Sequence, residues 1–247
     1  GGWALAAALT LMLVAVWRTA WITDDSFITL RVVDNVVHGF GPRWNIAERV
    51  QTFTHPLWFL VLTVPYALTR EPYYTTLALC ALCTAAAIAV IVFRLGLSRP
   101  AAAAAVAMLA GSRAFVDFST AGLENPLTHL LLVAFVAALL RSGPERRLAL
   151  AGAIAGLLVL NRMDLLLLVA PALLAEWAAA PRQDRVKDAC TIAAGFAPFV
   201  LWEAFALLYY GTPFPNTALA KLSTGLPARE VALQGLLYLG NSLANDP

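Results

Sequence analysis

Long apolar stretches alternate with short polar turns along this chain. A helix needs about 20 mostly apolar residues to cross the hydrocarbon layer of a membrane, so apolar windows near this length predict membrane spans. They cover residues 3–22, 74–93, 101–118, 123–140, 148–160, 165–177, 189–210 and, more weakly, 230–243. The apolar stretch 55–68 is shorter and contains Pro65. We therefore expect it to be re-entrant or to lie along the membrane interface.

Residues 24–38 follow a different pattern, which is that of an amphipathic helix. Projected at about 100° per residue, the polar positions fall on one face and the apolar positions on the other. The polar face holds Asp24, Arg31, Asp34, Asn35 and His38, and the apolar face holds Ile28, Val32, Val33, Val36 and Val37. Such a helix is predicted to lie in the interface plane and to end at Gly39.

The composition supports a membrane environment. Apolar residues make up 60% of the 247 residues and charged residues only 13%, with a mean hydropathy of +0.74. Soluble domains carry about 25% charged residues, so this chain has too few to cover a globular surface. The predicted fold is an all-α, polytopic integral-membrane helical bundle with an amphipathic juxtamembrane helix in its first outer loop. The sequence contains no Walker or GxGxxG phosphate loop, which argues against a soluble nucleotide donor.

Arginine and lysine lie in three clusters separated from each other by two predicted spans. The clusters are Arg94 and Arg99, then Arg141, Arg146 and Arg147, then Arg182, Arg185 and Lys187. The positive-inside rule places this side in the cytoplasm. The turns 117–126, 161–164 and 211–221 then face outward. The loop 23–54 shares that side only if the stretch 55–68 does not cross the membrane.

Asp24 and Asp25 are adjacent at the start of the amphipathic stretch. Two neighbouring carboxylates repel each other, which favours a proton on one of them unless a cation lies close. This property suits a general base that takes a proton from a sugar hydroxyl. The structural alternative is a helix start, in which Thr23 is the N-cap and the two acids favour the helix dipole.

Further polar side chains lie in the turns predicted for the same side. Glu124 begins a helix, where a first-turn acid is a sufficient structural explanation. Arg162 and Asp164 lie between two apolar spans, and charges at such depth usually pair or line a cavity. Asn216 and Lys221 lie in the last of these turns, where a lysine can hold a phosphate as a point charge.

Six motifs then occur in a fixed order between Trp21 and Lys221. They are W-I-x-D-D-x-F-I-x-L-R, G-x-G-x-x-W-N-x-x-E-R-V, T-H-P-L-W, A-G-L-E-N-P, N-R-M-D and Y-Y-G-x-P-x-P-N-T-A-L-A-K. This order resembles the GT-C superfamily of polyprenyl-phosphate-sugar glycosyltransferases. It looks most like the actinobacterial membrane arabinofuranosyltransferases that add terminal β-linked arabinose to cell-wall arabinan. Sister families that transfer mannose and other sugars share the layout.

The resemblance implies a GT-C-like fold and inverting transfer on the outer face of the cell membrane. The implied donor is a polyprenyl-phosphate arabinofuranose, and the implied acceptor is a cell-envelope glycan. The first outer loop of that superfamily holds the base, so we predict Asp24 to deprotonate the acceptor and Asp25 to orient it or the sugar. Arg162 and Lys221 would hold the donor phosphate, and Glu124 a sugar hydroxyl. All predicted substrate-binding residues are Arg31, Glu48, Arg49, His55, Glu124, Arg162, Asp164, Asn216 and Lys221.

The sequence requires no cofactor, although two adjacent carboxylates leave a divalent cation possible. Membrane lipid is an expected partner and nucleic acid is not. The alternative function is a membrane transporter or a lipid- or glycolipid-binding scaffold without catalysis, which predicts polar residues at the midplane of several helices. The chain starts Gly-Gly-Trp and stops just after an apolar helix. We therefore expect residues 1–247 to be the N-terminal transmembrane part of a longer enzyme, with its outer catalytic loop at 23–54.

Overall fold

The computed structural model describes residues 2–218 and 225–245, except the side chains of residues 144 and 145, and every regular element in these ranges is helical. The predicted all-α class is therefore confirmed. A short 3₁₀ turn, Met163–Leu165, precedes α9. The α-helices are α1 (Gly2–Arg18), α2 (Asp24–Val37), α3 (Pro56–Thr69), α4 (Pro72–Arg94), α5 (Arg99–Gly111), α6 (Arg113–Phe118), α7 (Asn125–Arg141), α8 (Pro144–Asn161), α9 (Leu166–Ala179), α10 (Arg185–Gly195), α11 (Ala197–Tyr210) and α12 (Ala228–Asn245).

Two predicted continuous spans are broken. The span 101–118 divides at Ser112, whose hydroxyl accepts a hydrogen bond from the Phe115 backbone N–H and so starts α6 as a new helix. The span 189–210 divides between α10 and α11, which meet at a bend of 51°. Conversely, the short predicted span 148–160 gains flanking residues and becomes the 18-residue helix α8.

Glycines explain the close packing of α8 against the α10–α11 bend. A Cβ at Gly156 would lie 2.1 Å from the Gly195 carbonyl oxygen, and a Cβ at Gly195 would lie 2.3 Å from the Gly152 carbonyl carbon. The backbones of the two segments are thus in direct contact. Small residues four apart are a common device for such close helix packing, particularly in membranes.

The amphipathic helix was predicted at nearly its observed length, but one residue was assigned to the wrong face. Val32 and Val33, on the predicted apolar face, are buried in one cluster with residues of α3. Asn35, predicted on the polar face, is also buried, and its amide donates to the Arg43 and Trp44 carbonyl oxygens at 2.7 and 3.0 Å. This side chain fixes the loop that follows the helix, a long-range role that helical periodicity does not reveal.

The connections between helices gather at two opposite ends of the bundle. One end joins the turns 19–25, 119–124 and 161–165 to the segments 40–55 and 211–217 through hydrogen bonds and ion pairs. The other end holds the arginine-rich turns, where the Arg141 guanidinium packs on Gly96 and Arg147 pairs with Glu176 at 3.4 Å. We call these the acidic end and the arginine-rich end.

Within the described ranges, α4, with 23 residues, alone has the length and composition to cross a membrane by itself. The α10–α11 pair meets the same criteria when its two helices are counted together. Shorter apolar helices include α1, α3, α5 and α7.

Candidate functional site

The turn 119–124 is the structural centre of the acidic end. Its carbonyl oxygens accept hydrogen bonds from three separate elements, namely from the Thr23 backbone N–H at 2.9 Å, the Trp58 indole N–H at 3.0 Å and the Thr84 hydroxyl at 3.1 Å. Gly122 has φ +82°, and a Cβ there would lie 2.8 Å from the Ser26 Cβ. Glycine is therefore required for this turn to approach α2.

A chain of polar contacts runs from α2 through this turn to the end of α8. The Thr29 hydroxyl lies 2.7 Å from His55 Nε2, and His55 Nδ1 lies 3.1 Å from Glu124 Oε2. The other Glu124 oxygen, Oε1, accepts a hydrogen bond from Arg162 Nη1 at 3.1 Å. Arg162 in turn holds Asp164 through Nε and Nη2 at 3.0 and 2.6 Å. The predicted Arg162–Asp164 pair thus exists, and it extends inward to a buried acid.

This chain keeps a buried carboxylate charged. Burial alone raises the pKa of Glu124, but the His55 hydrogen bond and charge, together with the Arg162 charge, lower it to about 2. The two-point contact with the Arg162 guanidinium lowers the pKa of the more exposed Asp164 as well. Because an ionised carboxylate only accepts hydrogen bonds, the Nδ1–H group of His55 donates a hydrogen bond to Glu124 Oε2.

A cleft of about 270 Å³ opens beside this chain. Its walls combine residues from α2, the segment before α3, the turn before α7, the end of α8 and the segment after α11. They are Asp25, Ile28, Thr29, Thr52, Phe53, Thr54, His55, Leu123, Glu124, Arg162 and Thr217. Of the predicted site residues, the structure therefore brings Asp25, His55, Glu124 and Arg162 to one cavity, with Asp164 behind Arg162.

Asp24 and Asp25 differ in their surroundings, although both are exposed in the first turn of α2. Asp24 Oδ1 accepts hydrogen bonds from the Thr23 hydroxyl and from the Asp25 backbone N–H, both at 3.0 Å. This is local helix-start geometry. Asp25 lines the cleft, and Asp24 is not among the lining residues. Thr23 makes no side-chain cap, so the predicted capping role falls to Asp24 instead.

Three other predicted residues lie in or beside the loop 38–54, away from the cleft lining. Arg31 stacks on the Trp44 ring at 4.6 Å, and Arg49 stacks on the Tyr209 ring at 4.9 Å. Glu48 accepts a hydrogen bond from Asn45 at 2.6 Å. The Arg49 contact joins the loop to the end of α11, the Arg31 contact joins it to α2, and the Glu48 contact lies within the loop.

The last predicted turn is only partly described. The Asn216 backbone N–H donates to the Gln51 carbonyl oxygen at 3.1 Å, which fixes the segment 211–217 beside the cleft. The Asn216 side chain is exposed. Lys221 lies outside the described residues.

Sequence reasoning missed the threonines of the cleft. Thr29 lies one helical turn after Asp25, so the i, i+4 spacing was a usable signal for a shared face. Thr52 and Thr217 come from segments far apart in the sequence, and their hydroxyl oxygens are buried without a hydrogen-bond partner among the residues that the structure describes. Nothing in the local sequence pattern joins them. Asn161, fully buried, was also missed and donates to the Thr128 hydroxyl at 2.9 Å.

The arrangement offers a carboxylate and a guanidinium on the walls of one small cleft. Among the described residues Asp25 has no ion-pair partner, and its exposed carboxylate can accept a proton from a bound hydroxyl. Arg162 uses three of its five N–H donors on Asp164 and Glu124, which leaves two for an anion. Among residues 2–218 and 225–245, no group of three His, Cys, Asp or Glu side chains is placed to hold a metal ion.

Comparison with known proteins identifies two relatives, each named terminal beta-(1->2)-arabinofuranosyltransferase. The protein from Mycobacterium tuberculosis is 31% identical over 244 residues, covering 91% of this chain and 38% of the relative. The protein from Corynebacterium glutamicum is 32% identical over 260 residues, covering 87% of this chain and 35% of the relative. The chain thus spans just over a third of the length of these relatives. No family model and no solved structure matches it.

The similarity extends along about nine tenths of the chain. It confirms the resemblance to the actinobacterial terminal arabinofuranosyltransferases that the motifs predicted.

Proposed function

We propose that this chain forms the membrane-embedded part of a GT-C glycosyltransferase that transfers arabinofuranose from a polyprenyl-phosphate donor to a cell-envelope glycan. The observation that carries the proposal is the cleft that brings Asp25 together with Arg162 and Glu124. The names of the two relatives support the sugar and the reaction class. Polyprenyl phosphate is proposed because the sequence has no nucleotide-binding loop and its apolar helices suit a donor held in lipid.

In the proposed reaction, an acceptor hydroxyl oxygen attacks the anomeric carbon of the arabinose. Asp25 takes the hydroxyl proton, and the bond between the anomeric carbon and the phosphate oxygen breaks with its electron pair moving to the phosphate. The configuration inverts because attack and departure occur on opposite sides of one carbon. Arg162 donates its remaining N–H groups to the phosphate as negative charge develops there. Lys221 is proposed as a second phosphate ligand on sequence grounds.

Asp25 is proposed as the base in preference to Asp24. Asp25 faces the cleft, whereas Asp24 is engaged by the Thr23 hydroxyl and the Asp25 N–H at the helix start. A general base must reach the proton that it removes, so position within the cleft comes before intrinsic basicity. Asp24 then positions Asp25 by fixing the first turn of α2.

We place the acidic end outside the cytoplasm and the arginine-rich end inside it, in a multi-pass arrangement. The structure gathers the turns containing Arg94, Arg141 and Arg147 at one end and the cleft at the other. The positive-inside rule then gives the orientation. In this arrangement α3 lies beneath the loop 23–54 without crossing the membrane. The acidic end then stays outside the cytoplasm and the arginine-rich end inside it.

The alternative, a transporter or lipid-binding scaffold, predicts ionisable groups along a pathway through the middle of the bundle. The ionisable groups of the cleft lie at helix ends instead. Asp25 is in the first turn of α2, Glu124 immediately precedes α7, and Arg162 immediately follows α8. Charged groups collected at one boundary suit chemistry on a substrate that is presented there.

The test is sugar transfer by membranes that contain the full gene product, with a synthetic polyprenyl-phosphate arabinofuranose as donor. We expect Asp25→Asn to lower kcat at least about 100-fold, the low end for loss of a general base. Donor binding should persist. Asp24→Asn should lower kcat less, and Asp117→Asn, at the same end but outside the cleft lining, should have little effect. Full turnover in Asp25→Asn would contradict the proposal, and mass spectrometry of co-purified lipid would identify the donor sugar.

A further inference from the structure

A second cleft, with a volume of about 570 Å³, lies at the arginine-rich end between α4, α7 and α8. Its walls are mostly apolar and include Val90, Phe93, Ala137 and Ile154. Arg94 and Arg141, the last residues of α4 and α7, also line it. A groove of hydrocarbon side chains thus carries two cationic groups at the ends of the two helices.

The turn after α4 brings the Arg141 guanidinium close to its backbone. Gly96 has φ +69°, and a Cβ at this position would lie 2.7 Å from the Arg141 Cζ and Nη1 atoms. The absence of a side chain at Gly96 therefore leaves the room that the guanidinium occupies. Arg141 is held beside the α4 terminus, where Arg94 is.

The two arginines lack a negative partner in the part of the chain that the structure describes. Neither forms an ion pair, and no described residue that lines the cleft is acidic. Arg147, in the same arginine-rich end, shows the contrast because Glu176 lies 3.4 Å from its Nη1. Among the side chains that the structure describes, the two arginines at the mouth of this groove therefore have no acidic partner, whereas Arg147 nearby has one.

We propose that this cleft binds an anionic phospholipid of the cytoplasmic leaflet. Arg94 and Arg141 bind the headgroup phosphate through charge-assisted hydrogen bonds, for which the planar guanidinium is well suited. One acyl chain lies on the apolar wall formed by Val90, Ala137 and Ile154. The inference rests on the proposed membrane placement and not on the proposed sugar transfer.

A lipid fits the cleft better than a free phosphate ion does. The apolar wall would contribute nothing to the binding of an inorganic ion, whereas burial of hydrocarbon against it stabilises a bound acyl chain. Basic pockets between helices on the cytoplasmic side of membranes are suited to anionic headgroups, because that leaflet is negatively charged.

The experiment measures lipid binding to the delipidated full chain in detergent by native mass spectrometry. Dioleoylphosphatidylglycerol is the test lipid and dioleoylphosphatidylcholine the neutral comparison. We expect the anionic lipid to bind at least about tenfold more tightly, as for one charge-assisted hydrogen bond, and Arg94→Gln/Arg141→Gln to abolish this preference. Arg182→Gln is the matched control, since Arg182 belongs to a neighbouring arginine cluster but does not line the cleft.

Gly96→Ala is a second variant, which keeps both charges and displaces the Arg141 guanidinium. It should weaken binding of the anionic lipid, with helix content checked by circular dichroism. Equal binding of the two lipids by the unmodified chain would overturn the proposal, as would an unchanged preference in the double variant. Inorganic phosphate that competes fully with the lipid would identify an ion site and also overturn it. Asp25→Asn should bind the lipid normally, so loss of sugar transfer and loss of lipid binding remain separate results.

Discussion

At the scale of single residues, Glu124 has the most demanding environment in the acidic end. The residue is 6% exposed, and its two carboxylate oxygens contact two different cations or potential cations, His55 and Arg162, each at 3.1 Å. A carboxylate in such a position is favourable only while both partners remain, because an unpaired buried charge costs several kcal/mol. Glu124 thus links three segments of the chain through one side chain.

The low pKa of Glu124 predicts a loss of stability in acid. Its pKa falls from an ordinary value of 4.5 to about 2 on folding, so the carboxylate stabilises the fold above about pH 4.5. This contribution, on the order of 3 kcal/mol, is lost as the pH falls from 4.5 towards 2. Thermal unfolding in detergent at pH 7 and pH 3 measures it. Glu124→Gln should unfold at a lower temperature at pH 7 and should depend less on pH, and an unchanged pH dependence would contradict the assignment.

The sequence identified the ionisable residues of the site more readily than their partners. Charged residues are scarce in this chain, so the sequence alone indicated Asp25, Glu124 and Arg162 as candidate site residues. The contact between His55 and Glu124 joins residues 69 positions apart, and the choice between Asp24 and Asp25 depends on the direction of each side chain at the start of α2. Both depend on tertiary structure, which single motifs do not encode.

At the scale of helices, the glycines of α8 determine how closely the α10–α11 bend approaches. Gly152 and Gly156 lie four residues apart and therefore share one face, and both contact the segment around Gly195. The bend occurs where this contact forms, between Gly195 and Ala197. A hydropathy window predicts one continuous span, 189–210, because mean hydropathy contains no information about contact between backbones.

Gly156→Ala should therefore be destabilising even though alanine favours helices. Its Cβ would lie 2.1 Å from the Gly195 carbonyl oxygen, so the helices must separate, and overpacking of this kind costs about 1–3 kcal/mol. Gly235→Ala in α12 is the matched control, because no atom lies within 4 Å of the added Cβ, and it should be neutral or stabilising by up to about 1 kcal/mol. Denaturant or thermal unfolding compares the two. Equal effects would show that the α8 contact does not limit the packing.

The amphipathic helix was the element most accurately predicted from local pattern. Its apolar residues repeat with helical period and Gly39 follows it, so both its type and its end could be inferred. Hydropathy did not predict the break at Ser112 because a hydropathy scale treats serine as mildly polar and does not recognise it as a helix N-cap. Cap recognition needs the position of the Phe115 N–H, which is known only from the structure.

At the scale of the whole molecule, the structure separates an acidic end from an arginine-rich end. The proposed orientation predicts opposite accessibility for the two ends in intact cells. In a Cys190→Ser background, because Cys190 is an exposed native thiol, a cysteine placed at Asp117 should react with a membrane-impermeant maleimide, and one placed at Arg182 should react only after permeabilisation. Labelling of both positions in intact cells would contradict the proposed topology.

The two-point contact between Arg162 and Asp164 has a consequence for product release in the proposed reaction. Asp164 is more than half exposed and is the more easily displaced of the two acids that hold Arg162. In the proposed reaction the donor phosphate would bind the two N–H groups of Arg162 that remain, so this phosphate and the Asp164 carboxylate would share one guanidinium. After the proposed transfer, the Asp164 carboxylate would compete with the spent polyprenyl-phosphate carrier for Arg162, and this competition would favour release of the product.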